Sequence, residues 1–245
     1  AQQLVIVVAA ANPEPRTGFI DRAVVAAVDA GIEPILCITK TDVRYPQHLL
    51  DYYAASGLKI VLSASSDGLA PSQDGAQGLE SAPVQELLQE LLGEVSVLLG
   101  HSGVGKSTLV NALTGSDRAT GHVNAVTGRG RHTSSSALAL RPVERDGRPV
   151  PAGTWIIDTP GIRSFGLAHV PRETVVGAFV DLAPGATDCP KGCTHAAQAP
   201  DCGIEAYVAA GKAGPSGPER LESLRKLLLL TPEEGDSEKE LGALA

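Results

Sequence analysis

The sequence contains no methionine, and only 3% of its 245 residues are aromatic. With so few rings, a core must be built from Val, Leu, Ile and Ala. The missing methionine predicts an excised or processed piece, with something upstream of Ala1. No apolar run approaches the ~20 residues that cross a bilayer, and no basic flank precedes the first apolar stretch. Both absences make a soluble, cytoplasmic protein without a membrane partner the expectation. Positive charge is also short: 20 Lys and Arg face 28 Asp and Glu, for a net −8. That excludes a chain that coats nucleic acid by bulk electrostatics, but leaves room for a local contact. The basic clusters Arg129, Arg131, His132 and Arg220, Arg225, Lys226 are each a solvated surface or a phosphate clamp. Cysteine is scarce, with four in all, yet three crowd into Cys189, Cys193 and Cys202. In a reducing compartment that favours metal over disulfides.

What is present is an alternation of apolar runs and helical patterns, with no internal repeat. Strands are expected at Leu4–Ala10, Pro34–Thr39, Leu58–Ala64, Val95–Leu99, Ala137–Val143 and Thr154–Ile157. Helices are expected at Ile20–Ala30, Tyr45–Ser56 and around Val84, Leu87, Leu88, Leu91 and Leu92, whose spacing puts them on one face. Residues 65–81, rich in Ser, Gly, Gln and Asp, have the composition of a surface loop. The alternation predicts an α/β fold with a mostly parallel sheet covered on both faces. Beyond residue 168 the pattern becomes helical, at Pro171–Asp181, Gly203–Ala210 and Pro218–Leu230, and it ends in an acidic, frayed stretch.

Between the fourth strand and a helix lies Leu99-Gly100-His101-Ser102-Gly103-Val104-Gly105-Lys106-Ser107-Thr108. Strand, glycine-rich turn and helix in this order form a phosphate-binding loop, a P-loop. Glycines allow successive backbone N–H groups to turn inward around phosphate oxygens, and the helix start adds partial positive charge. Lys106 supplies a full charge beside the β- and γ-phosphates, and Ser107 a hydroxyl for Mg²⁺. The alternative, a chance glycine-rich turn, does not explain the flanking strand and helix.

Two further motifs close strands. Asp158-Thr159-Pro160-Gly161 places a carboxylate where it supports Mg²⁺ through water, and a glycine N–H where it can meet the γ-phosphate. Thr39-Lys40-Thr41-Asp42 offers a carboxylate that can accept from both the N1–H and the 2-amino group of guanine, a donor pair adenine lacks. The usual first residue of this motif is Asn; Thr39 can still tie the loop down by hydrogen bonding. Ser63 and Ala64 resemble the short loop whose backbone contacts the guanine oxygen. In isolation, Asp42 is also readable as an ordinary helix N-cap. In ordinary GTPases the P-loop comes first and the guanine motif last. Here that order is circularly permuted, which moves the connectivity and can leave the sheet unchanged.

Cys189, Cys193, His195 and Cys202 supply three thiolates and an imidazole within fourteen residues. Cys₃His is a closed tetrahedral zinc set, structural rather than catalytic. Unligated cysteines in a reducing compartment are the plain alternative. Cys37, inside an apolar strand, is read as core.

The permuted order, the run Gly128-Arg129-Gly130-Arg131-His132-Thr133, the segment from Asp158 to Leu167 and the cysteine cluster together resemble the ribosome small subunit-dependent GTPase A family (RsgA, also called YjeQ). The resemblance runs from about Gln3 to Leu230 and departs from the family form by one residue in two cysteine spacings. It implies a permuted GTPase domain over 1–168, a helical zinc-binding domain over 169–230 and a flexible tail over 231–245, without the N-terminal OB-fold domain that family members typically carry. It also implies a Mg²⁺-dependent enzyme converting GTP to GDP and phosphate, late in maturation of the small ribosomal subunit. That subunit activates it and its rRNA is bound; the chain itself is expected to be a monomer. Thr133 is the implied switch ligand of Mg²⁺, with Ser134 the alternative. Ile162 occupies the position of the water-orienting glutamine of Ras-like enzymes, so intrinsic turnover should be slow. His132 is the nearest group in sequence that could replace it, or else an exposed loop histidine contacting RNA phosphate. The alternative overall reading is a decayed GTP-binding module that only occupies the ribosome. Because the switch after Gly161 runs into the zinc-bearing segment, that segment is expected to respond to the nucleotide state.

Overall fold

The computed structural model describes residues 1–64, 82–116, 137–144, 149–160 and 166–231. They fall into two compact units, one comprising 1–16, 31–46 and 59–164, the other 17–30, 47–58 and 165–245.

Among its described residues the first unit has six strands: β1 (Gln3–Ala9), β2 (Glu33–Thr39), β3 (Lys59–Leu62), β4 (Val95–Gly100), β5 (Leu138–Leu140) and β6 (Trp155–Asp158). Their order across the sheet is β3-β2-β1-β4-β6-β5, parallel except for β5. β1 is buried at all seven positions, as a central strand covered on both faces must be, and its sequence is correspondingly almost unbroken in Val, Ile and Leu. Helix α3 (Ala82–Leu91) lays Leu87, Leu88 and Leu91 on a core shared with Val5, Ile35, Leu98 and Ile156. Helix α4 (Lys106–Thr114) adds Leu109, Val110 and Leu113 to the same core. Cys37 is fully buried there, and burial pushes its thiol up to about 12.

Register places the strand ends. Val7 pairs with Gly100, Ala9 with Thr39 and Leu98 with Asp158. The carboxyl ends of β1, β2, β4 and β6 therefore lie along one edge. β4 lies between β1 and β6, where the chain builds outward to either side. That is the switch point at which open α/β sheets hold ligands.

The second unit contains α1 (Thr17–Asp29), α2 (Gln47–Tyr53), α5 (Arg172–Ala178), a 3₁₀ turn (Ala183–Asp188), α6 (Gly203–Ala209) and α7 (Gly217–Leu228). Val25, Leu167, Val175, Phe179, Leu182, Ile204 and Leu224 share its core. Here the structure corrects the reading of Arg220 as a surface cation or phosphate clamp, since it is 4% exposed. Its guanidinium forks onto Asp181 at 2.9 Å twice and meets Asp21 at 2.7 Å. The rings of Tyr52, Tyr53 and Phe179 lie 5.3, 5.3 and 4.5 Å from it. A buried cation requires such partners, and the carboxylates come from segments far away in sequence. Arg225 and Lys226 are also committed, to Glu205 and Glu222 respectively.

Candidate functional site

The P-loop follows β4 as the strand–turn–helix pattern predicts. Gly100 ends the strand against Val7, and a Cβ there would lie 2.6 Å from the Val7 carbonyl oxygen, so only glycine fits. Gly103 and Gly105 take φ of +82° and +91°, turning the chain into α4, with Gly105 as its N-cap. Lys106 is buried, and its ammonium donates to the Asp158 carboxylate and the Thr159 carbonyl. The Thr159 hydroxyl donates to Leu98 O at 2.7 Å, fastening the end of β6 to β4. The lysine of the first motif and the aspartate of the second are thus in direct contact, and half-buried Ser107 follows Lys106 on the same helix turn.

Thr39 to Asp42 sit on the same edge. The Thr39 hydroxyl is 3.2 Å from Val8 O and also meets Val104 O in the P-loop. Lys40, in a left-handed backbone with φ +57°, donates to Gly103 O at 3.0 Å and to Asn12 O. The N–H of Thr41 donates to Ser63 O at 3.3 Å, joining the two segments expected to hold a guanine. Ala64 follows as an exposed residue, and Asp42 is exposed. Helix α2 begins at Gln47, so Asp42 is not its N-cap and that alternative falls away.

Arg44 was not singled out in the sequence. Its Nε donates to Ala10 O at 3.0 Å, and its two terminal nitrogens meet the Glu14 carboxylate at 3.0 and 2.6 Å. This holds the loop after β1 beside the Thr39–Asp42 motif, and the paired guanidinium keeps Glu14 below the usual carboxylate range. Only its position two residues past Asp42 hinted at such a role. His132, Thr133, Gly161 and Ile162 lie outside the described residues.

In the second unit, Cys189, Cys193, His195 and Cys202 bring their ligand atoms within 4.8 Å of one another. A tetrahedral ion with Zn–S of about 2.3 Å and Zn–N of about 2.1 Å sets sulfur and nitrogen about 3.6 Å apart. His195 Nδ1 stands 3.5, 3.6 and 3.8 Å from the sulfurs of Cys189, Cys193 and Cys202, so the four residues fit zinc. The Pro190–Cys193 knuckle turns at Gly192, whose φ is +76°, with the Cys193 N–H donating to Pro190 O. The N–H of Gly203, at the start of α6, donates to Cys189 Sγ at 3.2 Å, which favours the thiolate. Burial, then the charges of Arg172 and Arg225, hold the His195 imidazole below its usual value, in the neutral form a metal requires. No described helix is long and apolar enough to cross a membrane.

Comparison with known proteins agrees with this geometry. The family model described as RsgA GTPase matches residues 1–168. A protein of Pseudomonas aeruginosa (strain LESB58), named small ribosomal subunit biogenesis GTPase RsgA, is 35% identical over 237 residues, covering 94% of this chain and 62% of the relative. Its namesake from Azotobacter vinelandii is 36% identical over 231 residues with the same coverage. The chain therefore spans 62% of the length of these curated relatives. In fold it is similar to YjeQ from Thermotoga maritima, with TM-score 0.61 and 24% identity over 93% of this chain and 72% of that one. It is also similar to YloQ, described as a circularly permuted GTPase, with TM-score 0.63 and 22% identity over 95% of this chain and 70% of that one.

Proposed function

The chain belongs to the RsgA GTPase family, and from that membership we propose that it hydrolyses GTP to GDP and phosphate in late maturation of the small ribosomal subunit. The supporting observation is the convergence of Lys106, Asp158 and the Thr39–Asp42 motif on one sheet edge, in a chain whose relatives carry that activity in their names. Under this reading the subunit and its rRNA are partners, the chain acts as a monomer in the cytoplasm, and residues 1–168, 169–230 and 231–245 are the GTPase domain, the zinc-binding domain and a tail.

The phosphates would rest on the N–H groups of Gly103 to Thr108, where the turn and the start of α4 concentrate unpaired donors and positive potential. Lys106 would stabilise charge developing on the β–γ bridge, and its contact with Asp158 holds its ammonium at the loop. Ser107 and Thr133 are the proposed holders of Mg²⁺, with Asp158 supporting it through water; the ion when bound neutralises phosphate charge. Asp42 would accept from the guanine N1–H and 2-amino group, with Ser63 and Ala64 lining the base. Thr39 performs a tethering task for which its hydroxyl suffices, so the departure from Asn leaves the loop attached to Val104. Gly161 would donate to the γ-phosphate. With Ile162 unable to orient water, turnover would be slow until the ribosome, or His132, completes the site. The metal cluster is proposed to hold one structural Zn²⁺.

The test is GTP turnover by this chain with and without purified small ribosomal subunits, with ATP as control. Slow, GTP-only turnover accelerated by the subunit supports the proposal. No turnover, together with tight GTP binding, would instead favour a module that acts only by occupancy.

A further inference from the structure

His195, one of the four residues that fit a metal ion, takes a left-handed backbone with φ of +55°, which residues other than glycine seldom adopt. Two guanidiniums grip the chain at this residue. Arg172, the first residue of α5, donates from Nη2 to Thr194 O at 3.0 Å and from Nη1 to Leu228 O at 2.9 Å. Arg225, in the last turn of α7, donates from Nε to His195 O at 3.0 Å. Its Nη2 reaches Ala196 O at 3.5 Å and the Glu205 carboxylate at 2.6 Å. The carbonyls on both sides of the strained residue are thus held by separate arginines from separate helices.

We propose that Arg172 and Arg225 are positioning residues for the metal centre, acting through the backbone of His195; this rests on reading Cys189, Cys193, His195 and Cys202 as a metal site. Fixing the Thr194 and His195 carbonyls selects the left-handed conformation that aims Nδ1 at the three sulfurs. Charge adds to geometry, because three thiolates and a neutral imidazole around a dication leave one net negative charge, which the nearby guanidiniums oppose. Arg172 also spans from the metal loop to the C-terminal carbonyl of α7, so metal binding and the order of that helix end are linked, each strengthening the other.

The experiment uses the full chain with Co²⁺, whose visible absorption reports tetrahedral thiolate coordination, in competition with a chelator. Arg225→Gln and Arg172→Gln are each expected to weaken Co²⁺ binding by about 10- to 100-fold and to alter the absorption bands. Arg225→Lys, which restores the charge but not the fork, should recover only part of the loss. Unchanged affinity and spectrum in both Gln variants would overturn the proposal, and complete recovery by Lys would overturn its geometric basis. Should the Gln variants fail to fold, Glu205→Gln removes only the outer partner of Arg225. It should release Co²⁺ several-fold faster, and an unchanged rate would count against the role of Arg225. Absence of Co²⁺ bands in the unsubstituted chain would instead remove the metal reading itself, and this inference with it.

Discussion

Arg220 and Asp21, separated by 199 positions, meet at 2.7 Å in a site from which both are shielded from solvent. Asp21 also receives the hydroxyls of Tyr52 and Tyr53 at 3.0 Å each and that of Ser223. Replacing Arg220 by Met would leave Asp21 and Asp181 buried without their cation. The expected loss of stability is about 3–5 kcal/mol, read from chemical denaturation, because the uncompensated carboxylates cost more than the lost contact itself. A loss near zero would mean that solvent reaches the cluster.

Base selection should reside in Asp42. Asp42→Asn replaces an acceptor by an amide that can donate to a 2-carbonyl, so preference should move from GTP towards xanthosine triphosphate in a competition assay. Thr39→Val removes the hydroxyl that contacts Val8 O and Val104 O. Its expected effect is weaker nucleotide binding by about 1 kcal/mol, several-fold in KM, with kcat little changed.

The four cysteines should separate into two classes. With metal bound, a thiol reagent should find none reactive. After chelation it should modify Cys189 first, with Cys193, whose thiol burial raises to about 11, and buried Cys202 following more slowly. Cys37, buried and raised to about 12, should react only when the chain unfolds. Four thiols reacting together in the chelated, folded protein would contradict the structure.

Acid should weaken the second unit through His195. Its value is lowered in the fold from 6.5, so the unfolded chain takes up a proton first as pH falls. In the metal-free chain the stability from this group is complete above about 6.5 and is lost as pH drops from there through the folded value. Thermal midpoints of the metal-free chain at a series of pH values check both the direction and the window.

The strands β1, β2 and β4 were legible because each is an apolar run bounded by turn residues, and burial leaves that signature in the sequence. Edge strand β5 is largely exposed and shortens from the expected Ala137–Val143 to Leu138–Leu140. The P-loop and metal ligands were legible for a related reason: their chemistry fixes spacing along the chain. Arg220 was misread because its one-dimensional neighbours, Arg225 and Lys226, suggested a basic face, while Asp21 and Asp181 carry no local mark of their pairing with it. Arg44, Arg172 and Arg225 act on backbone carbonyls, which every residue has, so no residue type betrays the contact. The 3₁₀ turn at Ala183–Asp188 is too short to show a period.

The backbone passes between the two units after residues 16, 30, 46, 58 and 164. A cassette joined by one linker can be gained, lost or exchanged in a single recombination. Here α1 shares a hydrophobic core with helices encoded more than a hundred residues later, and α2 sets Tyr52 and Tyr53 against Arg220 of the last of them. A cut at the start of the metal-binding segment would strip that core and strand Asp21, so the two units are heritable only together.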